Sequence, residues 1–283
     1  MRINKKNVAI LEETLDIFEK GSYEKGGKTV TLKLDKRQTE EAVVFLPDEV
    51  HQLSPHRFGG NSIDPIQCRY ACINADSFVL ARSRSATLHP GDKPVLVLNF
   101  ANPVNIGGGV RRGSRAQEEE LCRKSSLLIS LESGPALKYY EYNRSLNTFM
   151  GSDGVIISPQ VEIIRDEGNE FLDDTVVVAV MTCAAPKINF GLEGMSEEEY
   201  EDMFLQRIEG MLSVAASLGY RDLVLGAFGC GAFGNDAKVV SDLFRRALDE
   251  FNPTVFRRVD FAVLDRTDSK YNIKEFARNF RSF

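Results

Sequence analysis

The 283-residue chain has no tryptophan, only three histidines and no apolar stretch approaching a membrane span, which takes about 20 consecutive apolar residues. Its start, MRINKKNVAILEETLDIFEK, alternates charge with hydrophobicity where a signal peptide would carry an unbroken apolar segment. A cytoplasmic protein without a membrane partner is expected. Five cysteines, Cys68, Cys72, Cys122, Cys183 and Cys230, form an odd set with no CxxC pair, which argues against both a disulfide framework and a zinc site. His51, His56 and His89 sit beside proline or polar loop residues, so histidine-based chemistry has little to work with, and neither metal nor cofactor is expected. A formal net charge of −6 and a pI near 5.3 speak against general nucleic-acid binding, which depends on lysine and arginine neutralising phosphates. Carboxylate chemistry is what remains.

What is present is an alternation of strands and helices. Lys5 to Glu19 places Val8, Leu11, Leu15 and Phe18 at helical spacing before Gly21. Strands are expected at Lys28 to Leu34, Ala42 to Leu46, Tyr70 to Ile73, Val95 to Phe100, Val155 to Ser158, Thr175 to Thr182, Leu223 to Ala227 and Val259 to Leu264. Residues 51–65 read as irregular. One continuous helix is expected from Gln117 to Leu131, stopped by Gly134 and Pro135. Another begins at Ser196, whose spacing to Glu199 suits a capping box, and a third spans Asp236 to Glu250, with a helical segment at the C-terminus. The pattern is that of a sheet covered by helices, and no linker divides the chain, so one α/β domain over residues 1–283 is expected.

The densest chemistry lies in FANPVNIGGGVRRGSRAQEEELCRKSSLL, from Phe100 to Leu128. Gly107, Gly108 and Gly109 allow the backbone to approach a ligand without side chains in the way. Gln117, Glu118 and Glu119 follow where a helix begins. Breaking a glycosidic bond passes through an oxocarbenium-like state and needs a proton source and a carboxylate that helps water attack. Successive helical positions point about 100° apart, so Glu118 and Glu119 are expected to divide the labour. Acidic residues also suit a first helical turn through the macrodipole alone, although capping does not require three bare glycines. The cations Arg111, Arg112, Arg115, Arg123 and Lys124 outnumber Glu118, Glu119 and Glu120 here, a local positive excess for a polyanionic ligand.

A second glycine-rich loop, FGCGAFGNDAKVV, follows the strand at Leu223. Strand, glycine turn and helix N-terminus form an anion cradle, and a diphosphate is expected there. Gly229, Gly231 and Gly234 also satisfy the dinucleotide GxGxxG spacing, but only 49 residues follow Gly234, too few for the rest of such a fold.

The triple glycine, short spacer and Gln-Glu-Glu resemble the signature of poly(ADP-ribose) glycohydrolases, a macrodomain-related family, and its bacterial-type branch above all. ISPQVEIIRD (157–166), MTCAAP (181–186) and VDFAVLDR (259–266) are similar to later blocks of that family in the same order, so the resemblance runs from about Cys72 onward. It implies a macrodomain-like mixed sheet flanked by helices, with residues 1–70 as an N-terminal helical extension packed on it. It implies Glu119 as catalytic acid and base, Glu118 holding hydroxyls of the neighbouring ribose, and Gln117 orienting the loop or the substrate. Of Asn99, Asn102 and Asn105, the last is the first choice for the distal ribose. Gly229, Cys230, Gly231, Ala232, Phe233 and Gly234 would hold the diphosphate, with Phe233 beside the ribose. Ile106 stands where the family usually has proline, and Phe228 where tryptophan is often found; both departures would mark a divergent substrate. The implied activity is hydrolysis of ribose–ribose links in poly(ADP-ribose). The alternatives are a hydrolase for ADP-ribose on a protein side chain or nucleic-acid base, and a macrodomain that binds without cleaving.

Overall fold

The computed structural model describes residues 3–53 and 68–281. The expected irregular segment therefore falls from residue 54 on outside the described part, as does His56. In chain order the elements are α1 (Lys5–Lys20), β1 (Ser22–Lys25), β2 (Lys28–Thr31), α2 (Lys36–Thr39), β3 (Val43–Phe45), α3 (Pro47–His51), β4 (Arg69–Ile73), α4 (Ser77–Ser85) and β5 (Leu96–Phe100). Then come α5 (Gln117–Lys124), α6 (Leu127–Leu131), α7 (Gly134–Leu146), β6 (Val155–Arg165), β7 (Phe171–Cys183), α8 (Glu197–Ser217), β8 (Asp222–Gly226), α9 (Ala237–Asp249), β9 (Arg258–Ala262) and α10 (Tyr271–Asn279).

Strands β1 and β2 form a separate hairpin, and the others make a seven-stranded sheet in the order β3-β6-β7-β5-β8-β9-β4. The β3–β6 and β6–β7 pairs are antiparallel, while β7, β5, β8, β9 and β4 run parallel. Side chains alternate faces along a strand, and both faces of the central strands are apolar: Leu96 and Leu98 enter one core with Phe204, Ile208 and Phe244, whereas Val95 and Val97 enter the other with Leu121, Leu128 and Tyr139. Such doubly covered strands read as continuous hydrophobic runs. Helices α3, α8, α9 and α10 contribute to the first layer, and α1, α4, α5, α6 and α7 to the second. Among the described residues no helix is long and apolar enough to cross a membrane.

Helix α1 ends as expected, with Gly21 in the left-handed conformation (φ 78°) donating its N–H to the Ile17 carbonyl. Its other end docks against the loop before α5: Asn4 donates its N–H to the Arg112 carbonyl at 3.1 Å, and Asn7 Nδ2 donates to the Gly113 carbonyl at 3.0 Å. The capping box of α8 forms between Ser196 and Glu199.

Four expectations need correction. The helix at Gln117 is not continuous to Leu131. Ser125 is extended (φ −153°, ψ −180°) and bridges Ile163 on β6, while Ser126 exchanges hydrogen bonds with the backbone of Glu162. Gly134 and Pro135 open α7 rather than end a helix, with proline in the first turn where its missing N–H costs nothing. The strand from Lys28 stops at Thr31, because the N–H groups of Lys33 and Leu34 turn to the buried carboxylate of Glu162 at 2.8 and 2.9 Å. Residues 155–158 and 175–182 are parts of one long hairpin, β6–β7.

Candidate active site

A cleft of about 520 Å³ opens over the carboxyl ends of the parallel strands, the place where sheets of this type bind ligands. Its lining includes Asn102, Asn105, Gly108, Gly109, Gln117, Glu118 and Glu119 from the segment leaving β5. The segment leaving β8 adds Gly229, Gly231, Ala232 and Phe233, and Lys187 comes from the segment leaving β7.

The glycine loop is shaped around the two carboxylates. Gly107 and Gly108 are left-handed (φ 64° and 61°), a region that side chains rarely occupy. A Cβ on Gly108 would lie 2.6 Å from Glu119 Oε1 and 2.8 Å from Glu118 Oε2. Glycine is thus required here by the glutamates themselves, and not only by an approaching ligand. Gly109 donates its N–H to Glu119 Oε1 at 2.8 Å, and Asn102 donates its N–H to Glu118 Oε2 at 2.8 Å. Neither carboxylate caps its own helix; both reach back to the preceding loop. Although their Cα–Cβ bonds diverge, the side chains converge on one glycine, which modifies the expected separation.

Glu118 and Glu119 are only 3% and 7% exposed. Burial pushes the Glu118 carboxyl well above the ordinary 4.5; the Asn102 N–H opposes that shift and the neighbouring Glu119 adds to it. Glu119 Oε2 is buried and has no hydrogen-bond partner among the described residues. Glu120 is diverted to Arg123 Nη2 at 2.6 Å and Lys124 Nζ at 3.6 Å.

Gln117 orients the loop. Its Oε1 accepts the Phe100 N–H at 2.9 Å and its Nε2 donates to the Leu98 carbonyl at 2.7 Å, fastening α5 to the end of β5. The three asparagines separate. Asn99 is fully buried, donating to Thr182 Oγ1 at 3.1 Å and, at 3.5 Å, to Glu118 Oε1. Asn102 Oδ1 accepts the N–H groups of Val104 and Asn105, and Asn105 stands exposed at the cleft edge. Of the five cations in the first loop only Arg112 and Arg115 line the cleft; Arg123 and Lys124 are buried ion-pair partners and Arg111 pairs with Glu132.

In the second loop Gly229 (φ 76°) and Gly234 (φ 83°) are left-handed, and a Cβ on Gly229 would strike Ala185 Cβ at 2.6 Å. Gly231 faces open space. Among the described residues the N–H groups of Gly231, Ala232 and Phe233 have no backbone acceptor, which leaves three consecutive loop amides without a backbone partner. Helix α9 does not supply the anion site that its N-terminus suggested, because Asp236 caps the N–H groups of Lys238 and Val239. Asn235, 4% exposed, secures the loop by donating to the carbonyls of Pro186 and Gly229 and accepting the Tyr200 hydroxyl. Cys230 is partly buried and its thiol is pushed up by burial. Phe228 is fully buried against Phe100 and Phe204, and Ile106 packs on the opposite core. Neither residue lines the cleft.

Sequence reasoning missed the far end of the cleft, where Ala75, Ser77, Ala262, Val263 and Asn272 gather from the exits of β4 and β9. It also missed Lys187, whose one signal was its place just after a strand. Among the described residues no cluster of three His, Cys, Asp or Glu side chains is arranged to hold a metal ion.

A mixed sheet with helices on both faces, a glycine loop moulded to two buried glutamates, and a second glycine loop beside it define a macrodomain-like protein with a carboxylate site. The GxGxxG spacing belongs to this architecture and not to a dinucleotide fold, whose strand order is absent among the described residues. The family model for the microbial-type PARG catalytic domain matches residues 11–166. The structure of poly(ADP-ribose) glycohydrolase (PARG) from Thermomonospora curvata is similar at 31% identity and TM-score 0.89, over 98% of this chain and 100% of that one. The same organism's enzyme bound to the inhibitor ADP-HPD gives 30% and 0.86 over 98% and 100%. The Deinococcus radiodurans enzyme in complex with ADP-ribose gives 32% and 0.77, over 86% of this chain and 95% of that one. No curated protein sequence matches. The chain belongs to the microbial-type poly(ADP-ribose) glycohydrolase family.

Proposed function

We propose that this chain hydrolyses the O-glycosidic bond between riboses of poly(ADP-ribose), releasing ADP-ribose, with Glu119 as general acid and then general base. One observation carries the assignment: in Glu119, which lines the cleft, Oε1 is anchored by the Gly109 N–H while the buried Oε2 of the same carboxyl has no hydrogen-bond partner among the described residues. A group so held can deliver a proton from Oε2 to the leaving ribose oxygen as the anomeric bond breaks. It then takes a proton from the water that attacks the oxocarbenium-like centre, which returns it to its starting state.

Glu118 is suited to a binding role, since its Oε2 is already turned to the Asn102 amide. Ribose hydroxyls donating to this carboxyl would favour its ionised form. The diphosphate is assigned to the amides of Gly231, Ala232 and Phe233, with Arg112 and Arg115 adding positive charge across the cleft. The inhibitor and ADP-ribose complexes of the two relatives support ADP-ribose as the unit retained.

The test is to incubate the protein separately with ADP-ribose polymer, mono-ADP-ribosylated protein and ADP-ribosylated DNA, and to measure free ADP-ribose. Release from the polymer is expected. Release from only the mono-ADP-ribosylated substrates, or from none, overturns the proposal.

A further inference from the structure

Two large apolar side chains stand in water beside the cleft. Phe190 is 67% exposed and Phe149 52% exposed, with ring centroids 4.9 Å apart. They come from different segments, one after α7 and one after β7, yet both are held firmly. Phe149 receives the Lys187 N–H on its carbonyl at 3.1 Å and donates its own N–H to Glu193 Oε1 at 2.8 Å. The adjacent Thr148 hydroxyl donates to the other oxygen of Glu193. The strap is fastened to the second glycine loop as well, through the Ile188 N–H to the Phe233 carbonyl at 3.0 Å and Asn189 Nδ2 to the Ala232 carbonyl at 3.0 Å. Lys187, which lines the cleft, sets its Nζ 4.7 Å from the Phe190 centroid and 5.8 Å from that of Phe149. Exposed aromatic patches of this kind mark binding surfaces.

The order of strands says what would reach them. In the sheet β5 lies between β8 and β7. The proposed diphosphate cradle leaves β8, the glutamates lie over the exit of β5, and Lys187 leaves β7. A ligand that threads from the cradle to Glu119 has its leaving group continuing toward β7. In the polymer that leaving group is the ribose of the neighbouring unit's adenosine, which carries adenine one bond away and a pyrophosphate on its 5′ side.

We infer that Phe149, Phe190 and Lys187 form a subsite for the leaving adenosine, the phenylalanines stacking its purine and Lys187 meeting its pyrophosphate; this rests on the polymer-hydrolase reading above. Aromatic faces hold bases without regard to sequence, and losing one by alanine substitution weakens binding by about tenfold or more. Free ADP-ribose lacks the leaving unit and does not reach the two phenylalanines, neither of which lines the cleft.

The experiment compares binding of free ADP-ribose and of a short ADP-ribose oligomer to full-length Glu119→Gln protein, with and without Phe149→Ala plus Phe190→Ala. The expected result is unchanged affinity for free ADP-ribose and about tenfold weaker binding of the oligomer, restored when both positions are tyrosine. Equal oligomer affinity in the two proteins overturns the subsite. Phe190→Ala alone, at the more exposed of the two positions, repeats the comparison with the least risk to folding. Because the readout is binding, absence of polymer hydrolysis by the wild-type chain counts against the activity and not against the subsite.

Discussion

Gly109 and Glu119, ten positions apart in the chain, are joined by an N–H···O bond of 2.8 Å that fixes one oxygen of the carboxyl and leaves the other unengaged. The triple glycine and the acidic run are thus one device. The loop folds around the carboxylates and the carboxylates hold the loop, so neither keeps its shape without the other.

Glu119→Gln retains the acceptor for the Gly109 amide but has no proton to give. Turnover of ADP-ribose polymer is expected to fall by roughly 10² to 10⁴, with ADP-ribose affinity by calorimetry unchanged. Wild-type turnover in this variant would remove Glu119 from the mechanism.

Glu118 ties stability to pH. Its folded-state value is raised above the ordinary 4.5, so over the interval above 4.5 the folded chain binds more protons than the unfolded one, and stability falls as pH rises. Glu118→Gln has nothing to ionise. Its melting temperature should match the wild type below pH 4.5 and exceed it increasingly above; parallel curves across the range would show that the buried carboxyl ionises without cost.

Two glycines make opposite predictions. Gly108→Ala puts a methyl group within 3 Å of both glutamates at a left-handed position, so thermal stability and turnover should both drop. Gly231→Ala meets open space, so melting should be unchanged while ADP-ribose binding weakens. A stable, active Gly108→Ala protein would contradict the moulded loop.

Arg207, 2% exposed, donates to the carbonyls of Met150 at 2.6 Å and Ala184 at 3.0 Å and to Asp153 Oδ1 at 2.8 Å. Removing one member of a buried ion pair strands the other, at a cost of about 3–5 kcal/mol. Denaturant unfolding of Arg207→Met should show a loss of that size, and a loss below about 1 kcal/mol would mean that Asp153 is adequately held by His51.

Much of the fold could be read from residue order because it rests on local pattern. Strands β5 and β8 are short apolar runs followed by glycine-rich loops, and α8 announces itself through Ser196 and Glu199. The break at Ser125 could not be read, since it is made by β6, which takes the backbone of Ser125 and Ser126 into its own hydrogen bonding. Helix α4 was missed because its mixed sequence, SFVLARSRS, carries little helical periodicity and depends on Asp76 to cap it. The cleft's far end escaped notice because its residues lie in distant segments with no glycine or charge signature.

From the order of residues alone came the candidate groups: a glutamate pair behind three glycines, and a second bare loop before a helix. Spacing and backbone freedom are local properties, and the chain carries them with it. Only the tertiary structure decided where each carboxylate points, which cations are spent on ion pairs, and that two exposed phenylalanines 41 positions apart meet ring to ring beside Lys187. Those outcomes depend on strand order, on burial and on which amide finds which oxygen, and such relationships arise only when distant segments are packed together.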